Sequence, residues 1–279
     1  LSSWDNSAIH MASHTIASDN RRTTRNLAIF VAAALGIGWV GRLIDIVTGR
    51  PSTEGLGILL WLITPATVAL LLRAFAGDGW ADAGLTPKLR GNVRWYVVAL
   101  LVYPVLGTVV VAVGTLLGLI TIGDLSWAAL AAVLQTSTLA LAPQLLKNVF
   151  EESAWRGYLA PRIYGLGWND YTGHAVVGLI WGAWHIPYYL YFLDRSVLQQ
   201  FTSLPLAVFI VSAVGVMVAW AIVYGELLLL TRSIWPAVLM HSVEDAFVNP
   251  LFTEQRIVVE RGADWLVSPV NGLVSIALF

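Results

Sequence analysis

LPLAVFIVSAVGVMVAWAIVYGELLLL, residues 204–230, carries a single ionisable side chain, Glu226, among almost unbroken apolar neighbours. A helix needs about 20 such residues to cross the hydrocarbon of a bilayer, and a helix satisfies its own backbone N–H and C=O groups there. Working outward, comparable runs occupy residues 27–47, 56–75, 95–120, 127–149, 172–192, 234–248 and 265–279. The pattern predicts an all-α polytopic membrane protein of about eight transmembrane helices. Its 57% hydrophobic and 12% charged residues agree, since soluble domains run at roughly 45–50% and 25%. Sixteen Lys and Arg against 17 Asp and Glu leave no basic surface for nucleic acid. The absence of cysteine excludes disulfides, thiolate metal sites and a cysteine nucleophile.

The loops alternate in charge. Arg21, Arg22, Arg25, Arg73, Lys88, Arg90, Arg94, Arg156, Arg162 and Arg232 fall on one side, which the positive-inside rule makes cytoplasmic together with both termini. Residues 1–26 read as a disordered tail, the first ten as vector-derived sequence before Met11. Residues 27–279 form one transmembrane domain. Between the second and third spans, residues 77–94 have room for a short interfacial helix around Trp80 and Leu89.

Ionisable side chains inside membrane helices are costly and mark function by default. Here they concentrate in the second half: Lys147, Glu151, Glu152, Arg156, His185, Glu226, His241, Glu244 and Asp245. Such segregation predicts one buried polar site. Residues four apart share a helix face, so Lys147, Glu151 and Trp155 form one stripe, Glu152 and Arg156 another, and His241 faces the same way as Asp245. Glu152 and Arg156 suit a supporting ion pair. His174 reads as interfacial, Glu226 as snorkelling, and Glu244 as a rim residue. Glu151, His185 and His241 on three separate helices have no comparable structural reason.

The sequence lacks an exposed-serine turn, an H-E-x-x-H zinc pair and paired membrane aspartates. A glutamate with two histidines remains, a set able to take a proton from water and to stabilise an oxyanion. The string EESAWR, Glu151 to Arg156, followed by WGAWH, Trp181 to His185, and HSVED, His241 to Asp245, resembles the ordered motifs E-E-x-x-x-R, F-x-x-x-H and H-x-x-x-N of the CAAX protease and bacteriocin-processing family, also called the Abi or type II CAAX prenyl endopeptidase family. RSIWPAVLMH and GWADAGL are also similar to members, and the likeness runs over residues 56–249. It implies an intramembrane endopeptidase of eight helices, of a bacterial plasma membrane, acting on a lipidated or membrane-inserted peptide without a cofactor. Glu151 would be the base, assisted by His185, with His241 and Asp245 at the oxyanion and Glu152 and Arg156 in support. Trp155, Trp181, Trp184, Tyr188 and Tyr189 would line the cavity.

Asp245 departs from the pattern, because an ionised carboxylate cannot donate to an oxyanion as Asn can. Either burial keeps it protonated or the oxyanion hole is lost. The same residues admit other chemistry. Glu151, His185, His241 and Asp245 could ligate zinc. The pairs Glu151–Glu152 and Glu244–Asp245 could hold magnesium against a prenyl diphosphate, with the five aromatics and Trp220 around the isoprenoid. A non-enzymatic immunity or regulatory role is the third possibility. A transporter fits poorly, as the cluster does not repeat in the two halves.

Overall fold

A computed structural model describes the backbone from Asp5 and the side chains from residue 20 onward. Of the tail expected over residues 1–26, residues 1–4 lie outside the described residues and only the backbone of 5–19 is described; residues 20–26 are helical, with Asn26 fully buried and its amide donating to the Ala76 carbonyl. Helix α1 (Asp5–Thr48) is followed by α2 (Leu56–Phe75), α3 (Val93–Leu116), strand β1 (Ile120–Ile122) and α4 (Trp127–Ala154). Helix α4 passes through a π turn, Trp155–Leu159, into α5 (Ala160–Tyr164). Then come α6 (Asp170–Pro187), a π turn at Tyr188–Phe192, α7 (Arg195–Phe201) and α8 (Leu206–Thr231). The chain ends in α9 (Trp235–Val243), a π turn at Glu244–Val248, α10 (Asn249–Thr253), β2 (Ile257–Val259), α11 (Asp264–Val267) and α12 (Leu273–Leu278).

Among the described residues five stretches are long and apolar enough to cross a membrane: 20–48, α2, α3, the continuous 127–164 and α8. The expected count of about eight is not confirmed. Helix α6 carries Asp170, His174 and His185 in 18 residues, and α9 is only nine residues long before its π turn. Where an eighth span was expected, the chain forms two short helices instead, because Pro269 and the Asn271–Gly272 pair interrupt the run. They bring Phe279 to ring distances of 5.5 Å from Tyr103 and 5.9 Å from Trp220. Both partners lie near the middle of their helices.

Residues 77–94 hold turns and no interfacial helix up to the start of α3. Gly77, Gly79, Gly84 and Gly91 all take positive φ, and Pro87 lacks an N–H, so a helix cannot persist there. The loop is instead pinned to the end of α4: Arg73 binds Asp82 at 2.8 Å and donates to the Gly157 carbonyl, Tyr158 donates to Asp78 at 2.7 Å, and Arg162 meets Asp82 at 2.7 Å. At the opposite end β1 and β2 pair antiparallel, Ile120 opposite Val259.

Helices α6 and α8 approach through Gly178 and Gly182. A Cβ on Gly178 would come within 2.6 Å of Val218 Cα, and one on Gly182 within 3.1 Å of Val214 Cα. Small residues four apart allow this contact between membrane helices. The core gathers beside them around Trp155, Trp181, Trp184, Tyr158 and Tyr224, all buried.

Candidate active site

Each of the three motifs stands at or just before a π turn. Such turns widen a helix by one residue and free backbone groups, and they recur at functional sites. After Glu151 and Glu152, the turn presents the Gly157 carbonyl to Arg73. After His185, at the end of α6, the Trp184 carbonyl accepts from the Trp61 indole at 2.9 Å, while the Trp184 indole donates to the Trp61 carbonyl at 3.3 Å. The two indoles stack with centroids 3.9 Å apart. This fixes the final turn of α6 against α2. After His241, the third turn begins at Glu244 and holds Asp245.

The carboxylate of Glu152 is fully buried and joins two helices: it lies 3.2 Å from Arg156 Nη1 and accepts from His241 Nδ1 at 3.0 Å. Arg156 is itself sandwiched, its guanidinium carbon 4.3 Å from the Trp181 ring centre and 4.1 Å from that of Tyr224. With Nδ1 donating to Glu152, the other ring nitrogen of His241 turns towards Asp245, 3.7 Å from its Oδ2. His185 Nδ1 donates to the Trp181 carbonyl at 2.9 Å, which leaves Nε2 as the acceptor of the neutral ring. Both imidazoles stand edge-on to Trp181, at 5.9 and 5.8 Å.

Glu151 is 3% exposed. Its Oε1 accepts from Lys147 Nζ at 2.9 Å, and its Oε2 is buried without a hydrogen-bond partner among the described residues. The same ammonium lies 3.1 Å from Asp245 Oδ2, which also accepts from Asn148 Nδ2 at 2.9 Å. Lys147, Glu151, Glu152, Arg156, His241 and Asp245 thus form one connected cluster across α4, α9 and the π turns that follow them, and His185 on α6 meets the same Trp181 ring as His241.

Sequence reading missed Asn148, and counted Lys147 in the polar site without giving it a role. A signal existed: Gln144, Asn148, Glu152 and Arg156 recur every four residues along α4. His174 is fully buried within the protein, bonded to Tyr164 Oη at 2.8 Å and Glu226 at 3.0 Å. One peripheral reading needs correction: Glu244 is 6% exposed and is no rim residue. His241, Glu244 and Asp245 bring potential ligand atoms within 4.8 Å of one another, a set that leaves out Glu151 and His185. Trp155, Trp181, Trp184, Tyr188 and Tyr189 line neither of the two pockets described, and pack around the motifs. The larger pocket, about 550 Å³ and almost wholly apolar, lies on the α3 side, with Gly107, Val248 and Phe252 in its wall.

The arrangement gathers buried carboxylates and two imidazoles among apolar helices. Residues 133–247, which contain all three motifs, match the model of the Rce1-like family, type II CAAX prenyl endopeptidases, the same family that the motifs resemble. The match begins within α4 and does not extend to the GWADAGL loop. It implies a protease integral to a membrane, with membrane lipid and peptide as its surroundings and substrate class. No curated protein matches the chain.

Proposed function

We propose that this protein is an intramembrane endopeptidase of the CAAX-processing type, cutting a peptide bond near a lipidated or membrane-inserted segment with water activated by Glu151. The observation that carries the reading is the divided Glu151 carboxylate, one oxygen held by Lys147 and the other buried and unpartnered. A buried acceptor without a hydrogen bond costs about 1–3 kcal/mol, and a water arriving from outside offsets that. Glu151 Oε2 takes the water proton while His185 Nε2 orients the same water. The hydroxide adds to the carbonyl carbon, and His241 with residue 245 faces the oxyanion. Collapse breaks the C–N bond, and Glu151 returns its proton to the amine. Glu152 and Arg156 hold His241 in register. The apolar pocket beside α3 suits the lipid chain of the substrate. The arginine-rich loops face the cytoplasm, in a plasma membrane of bacterial type.

The test is turnover of a prenylated CAAX peptide by protein in lipid vesicles. Glu151→Gln is expected to lower kcat at least 1000-fold, an order of magnitude that general-base loss reaches, with KM unchanged. Comparable turnover by the variant would remove the reading. The close set of His241, Glu244 and Asp245 favours a metal as the second possibility, yet the Lys147 ammonium stands against Asp245 where such a cation would sit. A chelator that leaves the rate unchanged supports water activation by Glu151; loss restored by zinc supports the metal.

A further inference from the structure

Asp245 stands where the resembled motif has Asn, and its surroundings answer the two deficits this creates. The first is charge. Glu151 and Asp245 are two carboxylates of one site, and Lys147 Nζ lies between them at 2.9 and 3.1 Å. With the ammonium included, the three side chains carry one net negative charge, as a glutamate and an asparagine would. The second deficit is donation. Asn148 has both amide hydrogens engaged, through Nδ2 to Asp245 Oδ2 at 2.9 Å and to Ser242 Oγ at 3.2 Å. Ser242 donates onward to the Val238 carbonyl at 2.7 Å. His241 spends its Nδ1 hydrogen on Glu152. An ammonium has three N–H groups, and Lys147 uses two.

We propose that Lys147 is the oxyanion-stabilising catalytic residue of this chain, its third N–H making the donation that Asp245 cannot make while its charge neutralises Asp245. The inference rests on the peptidase reading. As water oxygen bonds to the carbonyl carbon, the π pair moves onto the carbonyl oxygen, and Lys147 stabilises that oxygen without giving up a proton. When the pair returns, the C–N bond breaks and the amine leaves with the proton held by Glu151. Asn148 is a positioning residue that keeps Asp245 turned towards the ammonium.

The test uses the full chain in vesicles, a prenylated CAAX peptide, and the variants K147M, K147M/D245N and K147M/D245L, with thermal unfolding followed for each. K147M is expected to lose about 100-fold or more in kcat, the scale of a lost oxyanion donor, with KM within about threefold. K147M/D245N, which restores both charge and donor, is expected within about tenfold of wild type. K147M/D245L, which restores charge alone, is expected to stay as slow as K147M while unfolding at the same temperature as K147M/D245N. Unchanged kcat in K147M, a folded but inactive K147M/D245N, or equal activity in the two double variants overturns the inference while leaving the peptidase reading in place. A wild type that leaves the peptide whole removes that reading, and the role of Lys147 falls with it.

Discussion

Glu152 is the residue on which the cluster turns, since one buried carboxylate answers both Arg156 and His241. Removing it leaves two buried cationic or polar groups unmatched, and breaking a buried pair in this way typically costs about 3–5 kcal/mol. Glu152→Ala is therefore expected to lower the thermal unfolding midpoint in detergent well below that of Glu151→Gln. Equal midpoints for the two variants would contradict a structural role for Glu152. The Glu152–Arg156 pair was legible from spacing along one helix, as was the shared face of His241 and Asp245. Lys147 on Asp245 and Asn148 on Ser242 were not, because periodicity gives the direction of a side chain but not which residue of another helix waits there. The partners of His174 were hidden for the same reason: Tyr164 and Glu226 belong to different elements.

Helix spacing explains what the elements do and where reading them stopped. Residues 56–75 form α2 at the expected bounds, because an apolar run between a glycine and a turn needs no partner to declare its length. The three π turns left no trace in hydrophobic periodicity, since a one-residue expansion changes which carbonyls are free and hardly alters which residues are apolar. The Gly178 and Gly182 contact was available as two small residues four apart. Gly178→Leu is expected to destabilise the protein by about 1–3 kcal/mol through overpacking, whereas Gly36→Leu, whose Cβ would meet nothing within 4 Å, is expected to leave the unfolding midpoint unchanged. Gly107 offers the complementary experiment. It lines the apolar pocket and has open space at its Cβ position, so Gly107→Trp is expected to raise KM for a prenylated peptide about tenfold with kcat retained, the pattern of lost uniform binding. Unaltered KM would detach the pocket from the substrate.

For the molecule as a whole, sidedness is the property most open to measurement, and the lack of cysteine makes it simple. Thr86→Cys in the arginine-rich loop is expected to react with an impermeant maleimide only in opened cells, and Arg261→Cys, beyond β2, in intact ones. The reverse result would invert the orientation. The membrane character of the chain was plain from composition, whereas the final segment looked like a span because apolar content alone does not distinguish one long helix from the two short ones formed around Pro269 and Asn271. The β1–β2 pairing adds a matter of timing. All the motif residues lie between the two strands, and the first strand has no partner until residue 259 has left the ribosome. A nascent chain therefore carries the acids and imidazoles of all three motifs into the membrane before this clasp can close.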